Sequence, residues 1–135
     1  MKKNLCALIL LTLLMTILGC SSDDNSNPVA ANTQIIGQWN WIQSTGGLAG
    51  VTESPESTGN TITLTISDTS VKRYVNGTLA SESAYTIDIQ PSIFGGEATM
   101  LIFPEDMKQS FEISNDILHL NDEFADGFSS TYESL

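Results

Sequence analysis

His119 is the single histidine of this 135-residue chain and the side chain best suited to acid–base or metal chemistry at neutral pH. Alternation along Ile117-Leu118-His119-Leu120 puts it on the face opposite Leu118 and Leu120, toward solvent. With no second His, no Cys and no placed carboxylate beside it, it supports neither a zinc site nor a nucleophile triad. The serines have no Gly-x-Ser-x-Gly context to activate them. Gly46-Gly47-Leu48-Ala49-Gly50 lacks the lysine of a phosphate loop and opens no helix, so it reads as a flexible loop. Asp122, Asp126, Gly127 and Glu133 occupy positions one, five, six and twelve of an oxygen-ligand calcium loop, but Phe124 offers no oxygen at position three. The flanks read as strands where that loop needs helices, which leaves an acidic hairpin. Glu105-Asp106 reads as a turn, because adjacent side chains diverge. No catalytic constellation is present, so the expectation is a non-enzyme with no catalytic residue, no metal and no cofactor.

The elements that carry these residues begin with an address. Met1-Lys2-Lys3 is a positive n-region, and the mostly apolar run Leu5 to Leu18 has the length of a signal h-region. As a helix that run would reach only about 21 Å, against a hydrocarbon core of about 30 Å, so it does not span. Ile17-Leu18-Gly19-Cys20 then resembles the lipobox of bacterial lipoproteins. That resemblance implies a signal peptide over 1–19, cleavage before Cys20 and lipid on its thiol. Ile17 does not suit an ordinary small-x-small cleavage site. Loss of Cys6 with the signal would leave Cys20 as the one cysteine of a protein in an oxidising compartment, where a free thiol is a liability unless capped. Several acyl chains at about 0.8 kcal/mol per buried methylene make a stable anchor.

The segment 20–32 is small and polar without periodicity, a tether with an average span of about 19 Å. Asp23-Asp24 resembles the short acidic export signal of some Bacteroidetes lipoproteins. The expected location is therefore a lipid-anchored position at the outer membrane, either on the cell surface or facing the periplasm. Without Lys2 and Lys3 the formal net charge falls from −11 to −13. Such a surface is repelled by phosphates, which excludes nucleic acid as a partner, and anionic headgroups repel it too. The membrane is met through the lipid alone.

Residues 33–135 make one domain with a modest core. Gln34 to Gly47 is β-rich, with Trp39 and Trp41 on one face. A long loop over Gly46 to Asn60 follows. Thr61 to Ser67 alternates strictly, placing Ile62, Leu64 and Ile66 on one face. Ser70 to Val75 and Thr78 to Ala84 flank Asn76-Gly77, a type I′ hairpin turn, and the second arm runs on through Tyr85, Ile87 and Ile89 to Pro91. Ala98 to Phe103, Ser110 to Ser114, Ile117 to Asn121 and Ser129 to Glu133 complete about eight strands with no helical segment of useful length. The pattern predicts an all-β fold, a small antiparallel up-and-down β-barrel or a sandwich.

Gly37-Gln38-Trp39, Gly46-Gly47 with Pro55 and Thr58-Gly59, the Asn76-Gly77 hairpin, Tyr85, and Asp126-Gly127-Phe128 leading to Tyr132 resemble the lipocalin-like domains of small Bacteroidetes lipoproteins. The resemblance covers Ile35 to Tyr132. One departure stands out: that pattern expects an arginine from the last strand across the first-strand tryptophan, and this chain has Glu133 and Ser134 there. The resemblance implies an eight-stranded barrel, either packed solid or holding one small ligand. A small, partly apolar ligand would lie among Trp39, Trp41, Ile62, Leu64 and Ile66, with the loop Gly46 to Gly59 at the mouth. The alternative is a structural or protein-interaction module of the outer envelope with a solidly packed barrel, binding through its acidic loops.

Overall fold

Residues 33–135 are described by a computed structural model of the chain. The expected signal peptide (1–19), Cys20 and the tether (20–32) lie outside the described residues. A helical turn at 33–35 leads into β1 (Gly37–Gly46), β2 (Val51–Glu53), the one-turn helix α1 (Pro55–Thr58), β3 (Ile62–Ile66), β4 (Ser70–Val75) and β5 (Thr78–Ala84). The chain continues through β6 (Thr86–Pro91), β7 (Glu97–Ile102), β8 (Lys108–Ser114), β9 (Ile117–Asp122) and β10 (Phe128–Ser134). Each predicted strand is present to within two or three residues at its ends. Asn76 and Gly77 both take positive φ, 50° and 77°, as a type I′ turn demands, and Asn115 and Asp116 do the same at 52° and 63°.

The fold is all-β: one antiparallel sheet in the order β5-β4-β3-β1-β10-β9-β8-β7-β6, with β2 paired to β1 beside this path. The two outermost strands, β5 and β6, are consecutive in the chain, with only Tyr85 between them. The sheet therefore curls into a half-barrel whose edges approach each other at that residue. Tyr85 is buried and its hydroxyl donates to the Ser67 carbonyl at 2.6 Å, which pins the corner. Here the observed strand count departs from about eight. The arm running from Thr78 to Pro91 breaks at Tyr85, so its first half pairs with β4 and its second half with β7.

Gly46 to Asn60 is also more ordered than a loop. Val51, Thr52 and Glu53 return along β1 opposite Gly46, Thr45 and Ser44. Ser54-Pro55-Glu56-Ser57 then starts α1 with a reciprocal capping box, and Gly59 ends it at φ 71°. Four residues with no buried side chain lack the hydrophobic period that marks a helix in sequence, which is why the turn was hidden.

The core gathers Ile35, Trp39, Trp41, Leu64, Ile66, Tyr85, Leu101, Leu118, Leu120 and Tyr132. The two tryptophans share the inner face, as their spacing predicts. Trp39 Nε1 donates to the Ile35 carbonyl at 2.9 Å, and Ile35 itself is fully buried. The helical turn at 33–35 thus satisfies the indole N–H. On another side, the Glu123 carboxylate takes the Ser92 hydroxyl at 2.9 and 3.1 Å and the Ile93 N–H at 2.9 Å. This ties the β6–β7 turn to the β9–β10 loop.

Candidate functional site

An open-sided cavity of about 410 Å³ lies between β1, β3, β4 and β5 on one side and β7 to β10 on the other. Ile62, Leu64, Val71, Leu101, Phe103 and Leu120 supply its apolar wall. Met107 and Phe124 line it while remaining 57% and 53% exposed, which marks the rim and the way in. Its volume falls at the lower end of the range for small-molecule sites, about 300 to 1,000 Å³.

A polar strip crosses this wall, and a β-bulge creates it. In the β1–β10 ladder Trp41 faces Tyr132, but the next pairs are Gln43 with Thr131 and Ser44 with Ser130, so Ile42 is the extra residue. A bulge shifts the alternation by one. Ser44 therefore joins Trp41 on the cavity side, where strict period-two counting would place Gln43. Trp41 Nε1 donates to Ser44 Oγ at 2.8 Å, and Ser44 Oγ shares a 2.7 Å hydrogen bond with Ser130 Oγ. Burial pushes the Tyr132 phenol up from its ordinary pKa, helped by the Asp122 charge; the Arg73 charge and a hydrogen bond with Ser130 work the other way.

Arg73 reaches the same space through β4. Its ladder partners are Leu64 on β3 and Ser81 on β5, and all three line the cavity. A second bulge, between Arg73 and Tyr74, leaves Ala80 unpaired. Below it Ser81 and Ser83 face inward, while Leu79 above it is exposed. Asp122 also lines the cavity, but its carboxylate is taken up by structure. Oδ1 accepts from Gln109 Nε2 at 2.8 Å and Oδ2 from the Phe128 N–H at 2.9 Å.

Of the five residues expected around a ligand, Trp41, Ile62 and Leu64 line the cavity. Trp39 and Ile66 do not; both are buried in the core away from it. From the expected mouth, Gly46 to Gly59, the cavity takes Glu53. Sequence reasoning missed Arg73, although its alternation with Val71 and Val75 carried the signal. Ser44 was hidden by the bulge, whereas Ser130 alternates regularly with Phe128 and Tyr132 on β10. His119 is exposed and sits 3.3 Å from Thr131 Oγ1. The segment from Asp122 to Glu133 is a strand–loop–strand hairpin whose first carboxylate organises its own turn. Cys20, the expected lipidation site, lies outside the described residues.

Comparison with known proteins finds no family model, no curated protein and no solved structure that matches the chain. The functional reading therefore rests on the geometry of this cavity.

Proposed function

We propose that this protein is a lipid-anchored, extracytoplasmic binding protein whose lipocalin-like half-barrel holds a small, partly apolar molecule without transforming it. The observation that carries the reading is the cavity of about 410 Å³, walled by aliphatic and aromatic side chains and crossed by the Trp41-Ser44-Ser130 strip. Apolar walls with a few convergent polar groups are the usual make-up of such sites: the walls supply affinity and the polar groups orientation. At roughly 30 Å³ per non-hydrogen atom, the space accommodates about 14 of them. An interior with this much free volume counts against the solidly packed interaction module.

The anchor belongs to the proposal through Ile17-Leu18-Gly19-Cys20 and the tether behind it. Acylation of Cys20, by palmitate among other chains, holds the domain at the outer membrane, at the cell surface or facing the periplasm. The experiment is to purify the full chain from its own envelope, extract it with organic solvent and identify what is released. A stoichiometric amphiphile supports the binding reading, and bare protein from several preparations contradicts it. Labelled palmitate incorporated by the wild type but not by Cys20→Ser tests the anchor separately.

A further inference from the structure

The described residues include three cations, and two of them are matched. Lys72 lies 3.6 Å from Glu82, and Lys108 lies 3.2 Å from Asp106. Arg73 lines the cavity, half-buried, and its side chain has no ion pair and no hydrogen bond among the described residues. In a chain of formal charge −11 an inward arginine that forms no ion pair is conspicuous. The acidic side chains that share the cavity, Glu53 and Asp122, form no ion pair with it. Glu53 stands exposed, and both Asp122 oxygens are engaged by Gln109 and Phe128. A guanidinium beside apolar walls is an unfilled half of a charge-assisted pair, and its planar fork matches a carboxylate.

We infer that the cavity selects a medium-chain amphiphile with a single anionic head, a carboxylate, seated on Arg73 with its tail along Leu64, Leu101 and Leu120. This rests on the ligand-binding reading above and adds the class of ligand. Ser81, paired with Arg73 across β4 and β5, and Ser83 beside it supply hydroxyls to the same head. The Arg73 charge already acts on the Tyr132 phenol, so its field reaches the polar strip. Arg73 presents one fork, which suits one anionic head; a dianion would also set its second charge against Glu53 and Asp122 in the same lining. At about 14 non-hydrogen atoms, the space suits an acid of roughly ten to twelve carbons.

The test is calorimetric titration of the full chain with decanoate, 1-decanol and decylammonium, which share a tail and differ in the head. Decanoate should bind about 10- to 100-fold more tightly than decanol, the range for hydrogen bonds to a charged group, and decylammonium more weakly than either. Arg73→Gln should bring decanoate down to the level of decanol while leaving decanol within about twofold. Arg73→Lys, which keeps the charge and loses the fork, should fall between. Decanol binding the wild type as tightly as decanoate overturns the anionic head and leaves the binding reading intact. Failure of all three to bind overturns both. The head-group series on the wild type needs no variant, so it decides the matter even if Arg73→Gln does not fold.

Discussion

Replacing Val71 by phenylalanine tests whether the inner face leaves free space, because an open half-barrel and a solidly packed one predict opposite signs. Val71 sits on the inner face of β4 between Ile66 of β3 and Ser83 of β5, and it lines the cavity. The ring adds four carbons, which enter free space of about 410 Å³. Burying about 50 Å² more apolar surface at about 25 cal/mol per Å² contributes roughly 1.2 kcal/mol. Ordering the larger side chain returns about 0.5 kcal/mol of that, and strands accept aromatic residues readily. The net expectation is a gain of about 0.5 to 1 kcal/mol, or about 2 to 8 °C in Tm for a domain of this size. In a fully packed interior the same change would cost about 1 to 3 kcal/mol. Urea unfolding with an unchanged m-value reads the sign directly. A Val71→Phe protein destabilised by more than about 1 kcal/mol would refute the cavity and the function built on it.

Three further expectations follow from the same geometry. Tyr85→Phe removes the 2.6 Å bond to the Ser67 carbonyl at the sheet corner and should cost about 1 kcal/mol by chemical denaturation; no loss would mean that the hydroxyl does not hold the corner. Burial acts to raise the Glu123 pKa, but hydrogen bonds from Ser110, Ile93 and Ser92 outweigh it and hold the carboxyl below its ordinary 4.5. Its stabilisation is therefore present above the ordinary carboxylate range and lost as pH falls through the lowered folded value. Glu123→Gln should be less stable than wild type by about 1 kcal/mol at neutral pH, with the gap closing in acid; a pH-independent gap would contradict this. An added Cβ at Gly127 would collide with Asp122 Cβ, so Gly127→Ala must displace the turn and should cost about 1 to 3 kcal/mol in a thermal melt.

Period-two alternation made most of this fold legible in the sequence. Ile62, Leu64 and Ile66 share a face, Trp39 and Trp41 share theirs, and Asn76-Gly77 turns as its residue types require. The cavity was legible only in part, for a physical reason. Alternation says which side chains point inward, and so named Trp39 and Ile66 together with Trp41, Ile62 and Leu64. It does not say at which level along the half-barrel the inward side chains leave space. Trp39 and Ile66 are buried with Ile35 in the core cluster and off the cavity, whereas Trp41 and Leu64 line the cavity with the serines and Arg73. Bulges at Ile42 and Ala80 reset the phase of β1 and β5, and neither residue carries a local signal that one is due. Arg73 was readable as an inward cation from its place between Val71 and Val75. Its lack of a partner emerged only from the packing.

The chain has two tryptophans, and they report on different places: Trp41 Nε1 is bonded to Ser44 in the cavity wall, and Trp39 Nε1 to the Ile35 carbonyl in the closed core. The most direct measurement of the central claim is a ¹⁵N–¹H spectrum of the labelled protein titrated with medium-chain amphiphiles, following the two indole signals. A saturable shift of the Trp41 signal at one molecule per chain, with the Trp39 signal nearly fixed, is the predicted result. Two signals that stay still to millimolar concentration, or that move together without saturating, would contradict an internal binding site.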